Sequence, residues 1–189
     1  MKKLVILILL ILLSCITVPA RYYILQKVEY WCIYDCTLGL SRQTVWTLRS
    51  FDLGNAKRAK SWKFKADIPL REAKARHTDF TNSGFERGHL CPAQDRSSSA
   101  SAMRSTFAMS NVAAQTQTLN DGDWKRTESQ CRQFAQIYDS VIVVTVPVFL
   151  DRDTTFIGHN RVAVPHGFFK TVFTAKTDSV LQTWFFFNR

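Results

Sequence analysis

Residues 140–149 read SVIVVTVPVF, a continuous apolar run that is rich in β-branched side chains. Such a run is typical of a buried strand. The segments 167–175 and 179–188 flank a short turn sequence and predict a long hairpin, and the segments 27–34 and 44–51 predict an earlier one. The chain is therefore predicted to be an α+β protein built around a mixed or antiparallel central β-sheet.

The clearest predicted helix covers residues 120–138, where Trp124 and Cys131 belong to one apolar stripe at helical spacing. A second, short helix is predicted to begin at Pro69. Residues 54–67 are polar and strongly basic, and they predict a loop that crosses the surface. No internal repeat or interdomain linker divides the sequence, so we expect one domain with helices flanking the sheet.

The first 20 residues have the layout of an export signal, with two lysines before an apolar run from Leu4 to Leu13. This run is short for a membrane span, which needs about 20 apolar residues. LLSC resembles a lipoprotein box with Cys15 as the lipidated residue, whereas VPA resembles a signal-peptidase site ending at Ala20. An uncleaved anchor is the third option. Each route exports the domain at 21–189 to the periplasm, the cell envelope or the medium, and two of them attach it to a membrane through its N-terminus.

Four cysteines follow this leader: Cys32, Cys36, Cys91 and Cys131. In an oxidising compartment they could form two disulfides, with three possible pairings. An equally weighted interpretation treats each one as a small buried apolar residue. The sequence contains no CxxC pair and no Cys/His spacing suited to structural zinc.

The formal net charge is +10. A basic globular domain commonly binds polyanions such as nucleic acids. A soluble protein with a merely charged surface would have the same composition, so the charge supports nucleic-acid binding without establishing it.

The stretch ERGHL places Arg87 and His89 two residues apart. If this stretch is a strand, both side chains lie on one face and address the same anion. Phosphodiester hydrolysis needs a base to take a proton from water, which a histidine can be near neutral pH, and cations to neutralise the phosphate. We expect Gly88, between them, to let a substrate backbone approach. A surface histidine is the competing interpretation of His89.

Asn120 stands at the predicted helix start, and Glu128 follows eight residues later. In a regular α-helix the two would lie about 80° apart around the axis. One direct amide ligand and one carboxylate acting through metal-bound water would suit Mg²⁺, which keeps several of its waters. The competing interpretations are a helix N-cap for Asn120 and an exposed helix charge for Glu128.

Four stretches occur in a fixed order: FERGHLCPAQDR, STFAMSNVAAQTQTLNDGDWKRTE, YDSVIVVTVPVF and VAVPHGFFKTVF. Together they resemble the DNA/RNA non-specific endonucleases, the sugar-non-specific nucleases with a ββα-metal (His-Me) site. The resemblance covers about Tyr30 to the end of the sequence. It implies an α+β fold with a ββα-metal catalytic element, and cleavage of both DNA and RNA without sequence specificity, leaving 5′-phosphate ends.

The resemblance also implies a role for each site residue. His89 is the general base, and Arg87 contacts the phosphate and the transition state. Asn120 is the one direct protein ligand of a Mg²⁺ ion, for which Mn²⁺ can substitute, and Glu128 holds a metal-bound water. A further phosphate contact in the basic loop falls on one of two residues, Arg58 or Lys60, of which the bidentate geometry of arginine favours the first.

Three departures from the family pattern stand out. Glu86 replaces the usual aspartate before the arginine, and TVP stands where TGP is common. The sequence ends at WFFFNR, where relatives usually continue, so the C-terminal part of the family fold is expected to be missing. Two other functions compete: a nucleic-acid-binding remnant without turnover, and thiol chemistry by Cys91 beside His89. Lys170 is interpreted as a charge on a strand face near the substrate groove.

Overall fold

The computed structural model describes residues 22–67, 75–150 and 153–189. The predicted leader at 1–20 and most of the short helix predicted from Pro69 lie outside the described residues. Within the described ranges, no helix is both long enough and apolar enough to cross a membrane.

The strands of the described ranges follow one another as β1 Tyr22–Gln26, β2 Trp31–Asp35, β3 Leu40–Arg49, β4 Glu86–His89, β5 Val112–Gln115, β6 Ser140–Val148, β7 Phe156–Ile157, β8 Val162–Ala163, β9 Gly167–Thr174 and β10 Val180–Phe187. Six of them form one sheet in the order β1-β2-β3-β6-β9-β10. Every neighbouring pair in this sheet is antiparallel, which resolves the predicted choice between a mixed and an antiparallel sheet.

The helices of the same ranges are α1 Ala100–Ser105, α2 Gln117–Leu119 and α3 Lys125–Tyr138, and a π-helical turn, Asn120–Trp124, joins the last two. Short 3₁₀ turns occupy Ser50–Asp52, His77–Phe80, Ala93–Arg96 and Met109–Asn111. The predicted α+β class is therefore confirmed, with few helices beside a large sheet.

The main core lies between α3 and one face of the large sheet. Cys131 and Ala135 on the helix are buried against Leu48, Val141 and Val172 on the strands. This burial follows the apolar stripe that the sequence showed, because residues three and four apart share one face of a helix. The predicted helix at 120–138 is confirmed from residue 125 onward.

A separate two-stranded ribbon carries the ERGHL motif. Strands β4 and β5 pair antiparallel, with Gly88 opposite Ala113 and His89 opposite Val112. The chain then turns through α2 into α3, so that two strands and a helix form the ββα element that the resemblance implied. This element sets the ribbon and the start of α3 side by side.

The other strand predictions are also confirmed, with shifted bounds. The predicted early hairpin corresponds to β2 and β3, which are joined by a turn containing Gly39 at a φ of 73°. The sequence did not predict β1, which adds an outer strand to this hairpin. The basic segment 54–67 is a loop, with one isolated bridge from Lys65 to Ala108.

The four cysteines after the leader, Cys32, Cys36, Cys91 and Cys131, are buried, and no disulfide joins any two of them. The interpretation as small buried residues is confirmed, and the two-disulfide alternative is not what the structure contains.

Candidate active site

A cleft of about 300 Å³ opens between the β4–β5 ribbon and the start of α3. Five of the six predicted site residues line it: Arg58, Arg87, His89, Asn120 and Glu128. Met103, Asp121 and Lys125 are among its other lining residues. The sixth predicted residue, Lys60, is exposed and does not line this cleft.

Arg87 is held in place by backbone contacts at the edge of the ribbon. Its Nη2 donates to the carbonyl of His77 at 2.8 Å, and its Nε reaches the same oxygen at 3.3 Å. The guanidinium also lies 5.6 Å from the ring centre of Phe80. Since β4 is a strand, Arg87 and His89 lie on one face and enter the same cleft, as the sequence predicted.

The His89 ring is packed between two phenylalanine rings, with its centre 4.7 Å from Phe64 and 4.9 Å from Phe107. Its Nε2 is buried and has no hydrogen-bond partner among the described residues. Burial lowers the pKa of His89 to about 3, and the nearby Arg58 guanidinium lowers it further. The imidazole is therefore neutral at physiological pH, which is the state that can accept a proton.

The side chain of Asn120 is fixed by Glu86, the residue that stands where the resemblance leads one to expect an aspartate. Its Nδ2 donates to Oε2 of Glu86 at 2.6 Å. The interpretation of Asn120 as an N-cap is wrong, because Thr116 is the N-cap of α2 and its hydroxyl accepts from the amide of Leu119. With its nitrogen committed to Glu86, the side-chain amide of Asn120 keeps its oxygen for another partner.

The helix start is not regular, and this corrects the angle that the sequence predicted between Asn120 and Glu128. Residues Asn120–Trp124 form a π-helical turn, and Gly122 has φ −95° and ψ −112°, outside the helical region. Such turns are frequent at functional sites. Because the turn departs from α-helical geometry, the 80° separation of a regular helix does not apply, and both side chains line the same cleft.

Glu128 lies in the first turn of α3 and is only partly exposed, so the competing interpretation as an exposed helix charge is wrong. Burial raises the pKa of Glu128 to about 7. The positive charge of Lys170 acts in the opposite direction and lowers it. The site thus contains a histidine held neutral and a carboxyl group whose ionisation depends on its neighbours.

Two buried side chains connect the ribbon to its surroundings. Trp124 is 1% exposed, and its Nε1 donates to the backbone carbonyl of His89 at 3.2 Å. This confirms that Trp124 supports the core. Asn111 accepts from the amide of Cys91 at 2.8 Å and donates to the carbonyls of Cys91 and Thr106. Sequence reasoning missed Asn111, although a lone amide directly before an apolar strand is a usable signal.

Gly88 does not open space for a substrate backbone, which is the role that the sequence suggested. It is buried, and a β-carbon at this position would lie 1.9 Å from Oε1 of Gln115. The absence of a side chain therefore makes room for Gln115 inside the protein. A substrate backbone does not enter at this point, so the earlier expectation is wrong.

A second cleft of about 400 Å³ continues from the first one. The two share Arg58, Arg87, Asn120 and Asp121, and the second is lined in addition by Trp62, Lys63, Phe64, His77, Phe85 and Glu86. Lys60 lines neither cleft. The site is thus a basic groove that extends to both sides of Arg87.

Cys91 is unsuited to thiol chemistry. It is fully buried, and burial raises the pKa of its thiol far above the ordinary value. A nucleophilic cysteine needs access and a lowered pKa, so the thiol alternative is wrong.

The donor set of the cleft fits Mg²⁺ better than a softer metal. Among the described residues no group of three or more His, Cys, Asp or Glu side chains converges, as a zinc site built from such ligands would require. The cleft instead offers one amide oxygen, from Asn120, and the carboxylate of Glu128, with space for water. Proteins commonly bind Mg²⁺ through a few oxygen ligands while the ion keeps several waters.

The ribbon carries Arg87 and His89, the π-helical turn carries Asn120, and α3 carries Glu128. Beside the antiparallel sheet, these elements define a ββα-type nuclease fold. The sequence model described as DNA/RNA non-specific endonuclease matches residues 16–187. The chain belongs to the DNA/RNA non-specific endonuclease family.

The similar proteins are nucleases. "Nuclease EXOG, mitochondrial" of Danio rerio is 36% identical over 137 residues, which are 67% of this chain and 40% of the relative. "Endonuclease G, mitochondrial" of Homo sapiens is 40% identical over 108 residues, which are 52% of this chain and 36% of the relative. The chain thus matches two fifths or less of the length of either relative.

A solved structure has the same fold. The crystal structure of the EndoG/EndoGI complex superimposes with a TM-score of 0.80 at 25% identity, and it covers 91% of this chain and 76% of the other. This chain therefore shares its overall fold with that solved structure.

Proposed function

We propose that this protein is an exported, Mg²⁺-dependent endonuclease that hydrolyses the phosphodiester bonds of DNA and RNA without sequence specificity. The observation that carries the proposal is one basic cleft that holds a neutral His89 beside Arg58 and Arg87, opposite Asn120 and Glu128. Family membership and the nuclease relatives support the same activity.

The metal would be held by Asn120 through its side-chain oxygen, with Glu128 accepting from metal-bound water. The hydrogen bond from Asn120 to Glu86 supports this assignment, because it fixes the amide with its nitrogen turned to the carboxylate. When bound, Mg²⁺ supplies positive charge to the phosphate and the leaving oxygen. Mn²⁺, a similar oxygen-preferring ion, is expected to substitute.

His89 removes a proton from the attacking water. Since Nε2 is buried between the phenylalanines, Nδ1 is the nitrogen that meets the water. A base whose pKa lies near 3 is weak, but part of that shift comes from Arg58. A phosphate bound at Arg58 neutralises this cation, so the basicity of His89 rises when substrate is present.

Arg87 and Arg58 bind the phosphate that is cleaved, and Lys125 adds positive charge at the same cleft. The bond from Arg87 to the carbonyl of His77 fixes its guanidinium before substrate arrives, which reduces the cost of ordering it. Contacts to phosphate carry no direct base information, so cleavage does not depend on sequence. The groove on both sides of Arg87 accommodates a strand that continues past the cleaved bond.

Other parts of the proposal rest on the sequence. The family resemblance implies 5′-phosphate products. The leader at 1–20 implies export to the periplasm, the cell envelope through Cys15, or the medium.

The test uses purified protein with plasmid, single-stranded DNA and RNA, each with Mg²⁺ and with EDTA. Cleavage is expected only with the metal, and His89→Ala is expected to lower it by roughly 10²–10⁴-fold, the range of general-base catalysis. His159→Ala is the matched control, because His159 is exposed and lines neither cleft. Full activity in His89→Ala would contradict the mechanism.

Two further outcomes separate the alternatives. Asn120→Ala is expected to require much more Mg²⁺ for half-maximal activity, and an unchanged titration would remove the ligand assignment. Gel shifts of nucleic acid without cleavage, over a range of divalent ions, would favour a binding remnant instead of an enzyme.

A further inference from the structure

The guanidinium of Arg87 is held by one short segment, the 3₁₀ turn His77–Phe80. The turn supplies the carbonyl of His77, which accepts from Nη2 at 2.8 Å and from Nε at 3.3 Å. It also supplies the ring of Phe80, whose centre lies 5.6 Å from the guanidinium carbon. Thr81 follows the turn, and its hydroxyl accepts from Nη2 at 3.4 Å. The direction of Arg87 in the cleft therefore depends on the shape of this turn.

Asp79 closes the turn from inside the protein. It is 3% exposed, and its Oδ2 accepts from the backbone amide of Arg76 at 2.7 Å. Its own amide donates to the carbonyl of Arg76 at 3.1 Å. Hydrogen-bond geometry within a 3₁₀ turn is poor, so such a turn needs further contacts to keep one shape. The carboxylate of Asp79 provides them.

The β7–β8 hairpin holds the other side of the same carboxylate. Oδ1 of Asp79 accepts from the backbone amide of Asn160 at 3.1 Å, and Nδ2 of Asn160 lies 3.1 Å from Oδ1 and 3.0 Å from Oδ2. Gly158 packs against this side chain at a φ of 68°, and a β-carbon on it would lie 2.3 Å from Cβ of Asp79. The hairpin and the turn are thus in direct contact at Asp79.

We propose that Asp79 is a positioning residue of the active site, which joins the β7–β8 hairpin to the turn that orients Arg87. The proposal rests on the proposed nuclease function for the role of Arg87 at the phosphate. Asp79 lines neither cleft, so its effect passes through the turn and not through the substrate.

The expected consequence of losing Asp79 follows from its hydrogen bonds. Alanine at this position accepts none of the bonds that Arg76 and Asn160 donate, so the turn can move away from the ribbon. A misplacement of about 1 Å can cost roughly 10²-fold in rate. Because Arg87 is assigned to the transition state, its displacement lowers kcat more than it raises KM.

The experiment compares wild type, Asp79→Ala, Arg87→Ala and the double variant, at a temperature where circular dichroism shows each one folded. In Asp79→Ala the kcat is expected to fall about 10–100-fold, while KM changes less than about threefold. Asp153→Ala is the control, because Asp153 is exposed and lines neither cleft, and its kcat should stay at the wild-type value.

The double variant separates positioning from mere structural support. If Asp79 acts through Arg87, then Asp79→Ala in the Arg87→Ala background changes kcat less than about twofold, because coupled residues are not additive. An equal loss of kcat in both backgrounds would overturn the proposal.

A readout without turnover keeps the proposal distinct from the nuclease function. The exchange of the Arg87 Nε–H proton with solvent is measured by NMR, and the signal is assigned by its loss in Arg87→Ala. Since this proton is donated to the carbonyl of His77, its exchange is expected to be at least about tenfold faster in Asp79→Ala. An unchanged exchange rate refutes the inference. If wild type cleaves no nucleic acid, the proposed function fails while this measurement still decides the role of Asp79.

A milder variant covers the case in which Asp79→Ala does not fold. Asn160→Ala removes only the contacts of Nδ2 and leaves the carboxylate and its bond to the amide of Arg76. The Arg87 Nε–H proton should again exchange faster than in wild type, and kcat should fall in the Arg87 background alone. Wild-type values of both quantities would overturn the proposal.

Discussion

Asn111 offers a quantitative test of how the residues after His89 are held. Its side chain makes three hydrogen bonds, with the amide and the carbonyl of Cys91 and with the carbonyl of Thr106. Its own backbone carbonyl accepts from the amide of Leu90 at 2.9 Å. The side chain thus fixes the residues directly after His89 to the start of β5. We expect Asn111→Ala to unfold more easily and to cleave more slowly.

The size of the effect follows from the groups left behind. Asn111 is 0% exposed, and alanine can replace none of its three side-chain bonds. A buried polar group that loses its partner costs about 1–3 kcal/mol. Taking the lower end for each group gives a loss of about 3 kcal/mol. For a protein of this size, that corresponds to a fall in Tm of about 6–12 °C.

The assay is equilibrium unfolding in urea, followed by circular dichroism, together with a thermal melt. Asn55→Ala is the control, because Asn55 is exposed in the basic loop and its replacement should change the free energy of unfolding by less than about 0.5 kcal/mol. If Asn111→Ala melts within about 2 °C of wild type, the three hydrogen bonds do not stabilise the protein by the amount given above. The argument for how the residues after His89 are fixed would then be wrong.

Three further expectations concern the ribbon and its histidine. Gly88→Ala should lower the free energy of unfolding by about 1–3 kcal/mol, since the new methyl group displaces the buried Gln115; equal denaturation midpoints would contradict this. Trp124→Phe keeps the aromatic packing and loses the hydrogen bond to the carbonyl of His89, so the free energy of unfolding should fall by about 1 kcal/mol. The kcat should fall as well, and denaturant unfolding and steady-state kinetics measure the two effects. The folded-state pKa of His89, about 3, lies below its ordinary value of 6.5, so the unfolded chain binds the proton more readily between these values. Stability is therefore expected to fall as the pH drops through this window, and this part of the slope should vanish in His89→Gln.

Much of the architecture follows from local pattern. The apolar run at 140–149 became the inner strand β6, and the stripe through Cys131 became the buried face of α3. Each of these signals is repeated over many residues, so the hydrophobic effect selects one arrangement. The residue types of the ERGHL and LNDGDWKRTE stretches likewise predicted four side chains that line one cleft, and Arg58 from the basic loop is the fifth.

The features that were missed depend on contacts between distant segments. The π-helical turn at Asn120–Trp124 leaves no periodic trace, because it is a single turn whose geometry is set by the bond from Asn120 to Glu86 and by the packing of Trp124. Gly88 makes room for a side chain from the neighbouring strand, which only the register of β4 and β5 reveals.

The interpretation of Lys170 as a charge on a strand face near the substrate groove is wrong for a similar reason, because this residue is buried. A lone lysine in a strand is ordinarily exposed, and its burial here depends on two indoles and two carboxyl groups from four other segments. The sequence pattern of β9 alone does not predict these partners. The chemical roles of His89, Asn120 and Glu128, the metal and the export route remain predictions.

The indole of Trp124 provides a built-in spectroscopic reporter. Its N–H donates to the backbone carbonyl of His89 on β4, and its ring centre lies 4.1 Å from the ammonium group of Lys170, so its proton resonance responds to changes on both sides of the helix start. With five tryptophans in the chain, one indole spectrum would suffice to follow this signal. Docking of helix and ribbon could thus be monitored in solution, in real time and without an attached label.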